Sequence, residues 1–488
     1  MITADQEKAV VAQVKTRLAV GGTWRDARSG RTFPVDDPST REILTEIADA
    51  GPEDAMDAVE AASKAQSGWA STSPRERGEI LRRAFETIVA RTDELALLMT
   101  LEMGKPLADS KAEIAYAAEF FRWFSEEGVR VAGHYSVAPD GRGRLLTMRQ
   151  PVGPCLLITP WNFPMAMATR KIGPAVAAGC TMILKPARQT PLSALALAQI
   201  LEECGLPPGV LNLITTTDAG QVTEPLLRDG RVRKLSFTGS TEVGRALIAL
   251  AADQVLRVSM ELGGNAPFIV FDDADLDAAI EGALLAKMRN IGEACTAANR
   301  FHVAGPLVRE FAQRLGDRLG SLKLGRGTED GVQVGPLIDE KAREKVSSLV
   351  GDALERGAKA VVGAEPGPGA GYFYRPTVLE NVPPDARALR EEIFGPVAPV
   401  ASFDSEEEAL AAANATEFGL VAYVYTRNLK RAFRMVEGLR TGMVGLNQGF
   451  VSNPAAPFGG VKQSGFGREG GREGIQEYLD VKYVALNL

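Results

Sequence analysis

PVGPCLLITPWNFPMAMATRKIGPAVAAGCTMILKPARQTP, residues 151–191, sets two short apolar runs, CLLI and MILK, on either side of a longer Ala-rich helical segment. The alternation continues through SALALAQILEECG at 193–205, VLNLITT at 210–216 and KLSFTGS at 234–240. Strands alternating with helices imply βα units, and βα units imply a parallel sheet covered by helices on both faces. Ligands in such sheets bind beyond the carboxyl ends of the strands. The ends of CLLITPWN, MILKPA and LSFTGS are therefore expected on one rim.

A second alternating block follows. Its strands are expected in APFIVFDDADLD (266–277), RFHVAG (300–305), AKAVVGA (358–364) and the run from GPVAPVASF (395–403) to LVAYVYT (420–426), with helices at about 276–288 and 306–319 between them. The turn-rich GAEPGPGAGYFY at 363–374 reads as a surface loop. Upstream, residues 52–125 are rich in Ala, Leu, Glu and Arg at helical spacing, with Pro after Ser73 and Gly after Met103 as start and stop marks. They read as scaffold. Two further segments, GRGRLLTMRQ at 141–150 and the terminal EYLDVKYVALNL at 477–488, have a strand-like pattern too isolated to stand alone. They are expected to pair with each other as an oligomerisation sheet or to pack as a tail.

At 488 residues the chain is too long for one core, since single cores stop growing near ~300 residues. The parts expected are a discontinuous first lobe (1–132 and 152–261), a second lobe (262–450) and a small β arm (133–151 and 470–488). Hydrophobic residues at 45% and charged residues at 24% exclude disorder and fibrous repeats. A net charge of -7 argues against nucleic acid as partner. No apolar run reaches the ~18 residues of a membrane span, and the N-terminal MITADQEKAVVAQVK does not read as a secretory signal, so a cytoplasmic address is expected.

Four widely spaced cysteines, Cys155, Cys180, Cys204 and Cys295, form no CxxC pair and read as reduced thiols; no metal site is expected. The first three lie in strand-like or helix-like runs and read as small buried hydrophobes. Cys295 sits in RNIGEACTAANR, beside glycine and polar residues, where a loop is expected to enter a helix. A helix N-terminus lowers a thiol's pKa and makes it nucleophilic. With only His134 and His302 available, a general base falls to a carboxylate. Glu261, followed by Leu262, Gly263 and Gly264, is the best placed, although on its own it could be a solvated strand end. FTGSTEVG at 237–244 has glycines too far apart for a dinucleotide fingerprint and lacks the P-loop lysine. It reads instead as a strand ending in Gly239 and Ser240, whose small size lets a helix N-terminus approach a pyrophosphate.

Taken in order, PWNFP (160–164), LKPARQTP (184–191), FTGSTEVG (237–244), ELGGNAP (261–267), GEAC (292–295), EEIFGP (391–396) and PFGGVKQSGFGREG (457–470) resemble the aldehyde dehydrogenase superfamily over roughly residues 20–488. The resemblance implies an α/β fold with a Rossmann-like cofactor domain, an α/β catalytic domain and a β oligomerisation arm. It makes Cys295 the nucleophile, Glu261 the base that activates water against a thioester, and Asn162, with the Cys295 N–H, the oxyanion donor. It places the cofactor against Thr159, Pro160, Trp161, Gly239 and Ser240, with Lys185 at the adenosine ribose, Glu392 at the nicotinamide ribose and Phe394 near the nicotinamide. A homodimer or homotetramer follows from the same likeness.

Where NAD-preferring relatives often carry Glu, this chain has Arg188. A guanidinium can pair with a 2′-phosphate that a carboxylate would repel, so NADP is the expected cofactor, with NAD possible. WNFPMAMATRKIGPAVAAGC, DEKAREKV, TEFGLVAYVYTRNLKRAFRMVEGL and APFGGVKQSGFGREG are similar to the succinate-semialdehyde dehydrogenase branch. That branch implies a small-molecule aldehyde bearing a carboxylate held by Arg170, Arg289 and Ser452. Glutarate semialdehyde or a broader aldehyde range stays open, since one methylene is worth only about 1 to 3 kcal/mol in a pocket. So do resolution of the thioester by CoA and a silent member of the fold. Two departures stand out: Ala297 replaces a second cysteine found in some relatives, and Glu293 breaks the commoner Gly-Gln-Thr/Ser pattern before the nucleophile.

Overall fold

The strands Cys155–Ile158, Met182–Lys185 and Lys234–Thr238 are buried at every position in the computed structural model, which describes residues 2–486. Continuous burial is the mark of a parallel sheet with helices on both faces. Met1, and Asn487 and Leu488 at the end of the expected arm, lie outside the described residues.

Among the described residues these strands belong to an eight-stranded sheet. Its order is Gly465–Phe466, Arg257–Glu261, Lys234–Thr238, Cys155–Ile158, Met182–Lys185, Leu211–Leu213, Leu18–Val20 and Thr23–Arg25. The five strands from Arg257–Glu261 to Leu211–Leu213 run parallel, and Ile158 pairs with both Lys185 and Phe237, so the three expected strand ends do share a rim. The edge strand Gly465–Phe466 returns from the far end of the chain to pair antiparallel with Met260 and Glu261.

The second alternating block forms a seven-stranded sheet, in the order Lys359–Val362, Thr377–Glu380, Val397–Phe403, Ala298–Ala304, Ala266–Val270, Val421–Tyr425 and Met443–Leu446. All its pairings are parallel except that of Lys359–Val362. The two helices expected within it are Leu276–Met288 and Val308–Gly320. The two segments expected to pair do so over eight residues: Arg144–Pro151 runs antiparallel to Leu479–Leu486, with His134–Val137 on its other side.

Four helices from Pro52 to Glu127 cover the first sheet's flank. Ser73 caps the second of them through the backbone N–H of Glu76, and Gly104, at φ 89°, closes the third. This layer also supplies what its neighbours lack. The helices Pro164–Ala178 and Leu192–Glu203 have no cap of their own at Phe163 and Pro191. Glu113 Oε1 accepts from the N–H groups of Met165 and Ala166 at 3.1 Å each. Glu102 accepts from Leu192 and Ser193 at 2.6 and 2.8 Å. A carboxylate at a helix N-terminus satisfies orphan donors and meets the positive end of the dipole. Glu102 is nevertheless pushed up to about 7 by burial, against these bonds.

Candidate active site

Glu261 ends the last parallel strand of the first sheet, while Cys295 lies three residues before the central strand Ala298–Ala304 of the second. The two candidate groups thus meet where the lobes join. Gly264 permits the approach, since a Cβ there would lie 2.4 Å from the Cys295 carbonyl oxygen.

Cys295 does not stand at a helix N-terminus, as its sequence context suggests. It follows a tight turn, Arg289–Gly292, in which Asn290 and Ile291 hold left-handed φ values of 53° and 63°, and it leads directly into a strand. Its own segment therefore supplies no helix N-terminus to the thiol. Burial pushes it up to about 12, outweighing the pull of Arg170 and Arg289 in the other direction. Glycine and polar residues around a cysteine suit a helix entry and a strand entry equally, and the local sequence does not separate them. Cys155, Cys180 and Cys204 are buried, while Cys295 is partly accessible.

Asn162 is buried, and its Nδ2 donates to the Glu293 carbonyl at 3.0 Å. An amide nitrogen has two hydrogens, so one remains for another acceptor. Among the described residues the Cys295 N–H donates to no backbone carbonyl.

On the other side of the thiol stands a buried charged cluster. Glu469 pairs with Arg170 at 2.8 Å and with Lys171 at 2.5 Å. Although burial works the other way, those two cations hold Glu469 below the usual carboxylate range. Glu261 beside it is pushed well above that range, first by burial and then by Glu469, and its Oε2 has no hydrogen-bond partner. The two carboxyls titrate as a pair, with Glu261 the member whose charged form is disfavoured.

Arg289 stands apart from that cluster. It lines a cavity of about 830 Å³ together with Tyr116, Phe163 and Phe450. Its guanidinium lies 4.7 Å from the Phe163 ring centroid, 4.9 Å from Phe450 and 5.6 Å from Tyr116, and it donates to Ser452 Oγ at 3.4 Å. The two arginines of the expected clamp differ in their surroundings, and both act on the Cys295 thiol. Arg289 and Ser452 come together, whereas Arg170 is only 2% exposed, held against Glu469 and over the Phe458 ring. A guanidinium in a low-dielectric interior needs an anion, and Glu469, from near the far end of the chain, supplies it.

The expected cofactor residues line the rim. Thr159 follows Ile158, and its buried Oγ1 has no partner. Lys185 ends its strand with Nζ on the Pro186 carbonyl at 3.3 Å, and burial lowers it to about 8. Ser240 caps the helix Thr241–Ala252. Gly239 packs on Phe237 so closely that a Cβ would lie 2.4 Å from the ring. Trp161, just past Pro160, meets Phe394 edge to face at 5.4 Å. Glu392 Oε1 accepts from the Gly264 N–H at 2.9 Å. Arg188 is exposed and, among the described residues, makes no salt bridge; it lines a cavity of about 280 Å³ with Asp36, Thr217 and Tyr372. An orphan buried hydroxyl, a lysine without an anion, a helix N-terminus capped only by Ser240 and an arginine without a salt bridge along one rim form a donor set that fits a dinucleotide phosphate.

Sequence reasoning missed several residues that hold this site. Lys105 Nζ donates to Glu113 at 2.6 Å and to the Asn162 carbonyl at 2.7 Å. Asp109 accepts from the Asn290 N–H at 3.3 Å. In sequence the region holding these three reads as scaffold. The available signal is Asp109 and Glu113, four apart on one face of the helix Leu107–Glu127 where an apolar stripe would be expected, with Lys105 in the turn just before it. Among the described residues no group of three or more His, Cys, Asp or Glu side chains is gathered to hold a metal, and no helix is long and apolar enough to cross a membrane.

The aldehyde dehydrogenase family profile matches residues 24–484. The chain belongs to the aldehyde dehydrogenase family. Its fold is that of the family: a solved succinate-semialdehyde dehydrogenase from Burkholderia pseudomallei superposes with a TM-score of 0.96 at 48% identity, over 100% of both chains. A succinate-semialdehyde dehydrogenase of Paenarthrobacter nicotinovorans is 58% identical over 91% of this chain and 99% of its own length. Succinate-semialdehyde dehydrogenase [NADP(+)] GabD of Escherichia coli K12 is 49% identical over 97% and 98%. This aldehyde dehydrogenase therefore keeps its family's architecture across the whole of the described chain.

Proposed function

We propose that the protein oxidises succinate semialdehyde to succinate with NADP(+), through a thioester on Cys295. The observation that carries the substrate is Arg289: a cation with no salt-bridge partner among the described residues, boxed by three aromatic rings beside a serine hydroxyl at a cavity wall, and near enough to the Cys295 thiol to act on its charge. An unpaired guanidinium in apolar surroundings is costly unless an anion completes it. A substrate carboxylate does so with charge-assisted hydrogen bonds.

The chain's own residues then divide the work. The Cys295 sulfur adds to the aldehyde carbon, and the oxygen takes up negative charge between the second Asn162 N–H and the Cys295 N–H. NADP(+), when bound at the rim, supplies the hydride acceptor. Water relieved of a proton by Glu261 hydrolyses the resulting thioester, and the succinate leaves. Lys185, Ser240 and Gly239 would hold the adenosine side and its phosphates, and Glu392, with Thr159, Pro160, Trp161 and Phe394, the nicotinamide side.

Replacing Arg289 by Ala is expected to raise KM for succinate semialdehyde by roughly 30-fold or more, the cost of removing one partner of a desolvated charge pair, while sparing a short neutral aldehyde. Replacing Arg170 by Ala is expected to lower kcat on both substrates, because it leaves Glu469 with Lys171 as its single cation beside Glu261. Equal losses for Arg289→Ala on charged and neutral aldehydes would remove the carboxylate reading and leave a general aldehyde dehydrogenase.

The NADP preference is read from Arg188, whose guanidinium has no salt-bridge partner to compete with a 2′-phosphate. Arg188→Glu is expected to shift the kcat/KM ratio from NADP toward NAD by about 100-fold, since a cation that attracts becomes an anion that repels. An unchanged ratio would assign the preference elsewhere. The exposed Tyr135, Val137, Val481 and Tyr483 on the three-stranded arm support a homodimer or homotetramer, and four unbridged cysteines support a cytoplasmic address.

A further inference from the structure

We propose that Lys105 and Asn290 are positioning residues for the oxyanion donor, fixing Asn162 relative to Cys295 through the Asn162 backbone carbonyl. The inference rests on Asn162 acting as that donor. A carbonyl oxygen has two lone pairs. That of Asn162 receives Lys105 Nζ at 2.7 Å and Asn290 Nδ2 at 3.0 Å. The Glu293 carbonyl, two residues before the nucleophile, is filled in the same way by Asn162 Nδ2 at 3.0 Å and Asn290 Nδ2 at 2.9 Å. The Asn290 amide therefore bridges the donor residue and the nucleophile loop. Its main chain is held too: the left-handed turn at φ 53° has its N–H on Asp109.

Lys105 ties the same lattice to the helical layer. Its ammonium and the Glu113 carboxylate have side-chain exposures of 0% and 1%. Glu113 in turn grips the first N–H groups of the helix that follows Asn162. An ion pair buried this deeply is weak evidence for stability, because desolvation offsets its attraction and an apolar replacement often serves as well. What the pair does here is hold one atom, the Asn162 oxygen, from a fixed direction. With one Asn162 N–H on Glu293 and the backbone clamped at both lone pairs, the other N–H has a single orientation. Preorganised donors of this kind lose their effect when displaced by about 1 Å, at a cost near 100-fold in rate.

The test is a double-mutant cycle between the Lys105→Met/Glu113→Gln pair, which removes both buried charges together, and Asn162→Ala. Alone, the pair is expected to lower kcat by about 10- to 100-fold with KM for aldehyde and NADP little changed. The kinetic isotope effect of 1-deuterated aldehyde on kcat should rise as the hydride step becomes limiting. Asn162→Ala is expected to cost about 100-fold or more. In that background the pair should add little further loss. Multiplicative losses would overturn the inference and leave Lys105 as scaffold. An Asn162→Ala variant with normal kcat would instead overturn the donor assignment in the proposed function. Asn290→Gly, which keeps the left-handed turn and removes both amide bonds, enters the same cycle if the charged pair fails to fold, with the same outcomes deciding.

Discussion

Cys295→Ala is expected to abolish aldehyde-dependent reduction of NADP, with kcat falling by roughly 10⁴- to 10⁶-fold, as loss of a covalent nucleophile does when no other group can take its place. The other three cysteines are buried within the first lobe and cannot substitute. Cofactor affinity should survive, since Thr159, Lys185 and Ser240 sit at strand ends of the other sheet. The intact thiol also has a pH signature. Burial pushes it up to about 12, so the thiolate is scarce at neutral pH and its fraction grows as pH rises. Alkylation of the cofactor-free protein by iodoacetamide should therefore accelerate about tenfold per pH unit through the range of roughly 7 to 10, without levelling off. A plateau near neutrality would mean that a cation or dipole other than Arg170 and Arg289 stabilises the thiolate. Full activity in Cys295→Ala would remove the thioester mechanism altogether.

Glu261→Gln should separate the two halves of the cycle. The thioester forms without a carboxylate base, but its hydrolysis needs one. The variant is expected to give a burst of one reduced cofactor per site, followed by turnover lowered by about 10²- to 10⁴-fold, with the succinyl group retained on Cys295 and visible by mass spectrometry of the intact chain. The sign of the pH dependence follows from the raised state of Glu261. Burial and Glu469 favour its protonated form, and a protonated carboxyl cannot take a proton from water. Deacylation in the wild-type protein should accordingly quicken as pH rises and Glu261 deprotonates. In Glu261→Gln that rise should vanish. A variant with no burst would place Glu261 in the first half of the reaction instead. Wild-type turnover that depends on added CoA would replace water by a thiol as the resolving nucleophile.

Much of this site is legible in the amino-acid sequence. The order of PWNFP, ELGGNAP and GEAC carries the family likeness, and the alternation from residue 151 onward carries the parallel sheet, because period and burial are local properties of a strand or helix. The arm is legible as two orphan strands in want of a partner, and each is the other's neighbour. What misleads is equally local. Around Cys295 the glycine and polar residues point to a helix entry, yet the segment enters a strand.

The chain by itself singled out the candidate groups, a thiol, a carboxylate and an amide, near strand ends that place them at the rim between two lobes. Only the tertiary structure decided how those groups are charged and held. Glu469 meets Lys171 across 298 residues of chain, with Arg170 beside it, and the charge they hold there, together with burial, shifts Glu261 upward. Lys105 and Glu113 come from a helical layer whose sequence reads as scaffold, and they hold the amide of Asn162 in place. Desolvation and pairing depend on what surrounds a side chain in space, and neighbours that distant in sequence leave no mark on the local pattern.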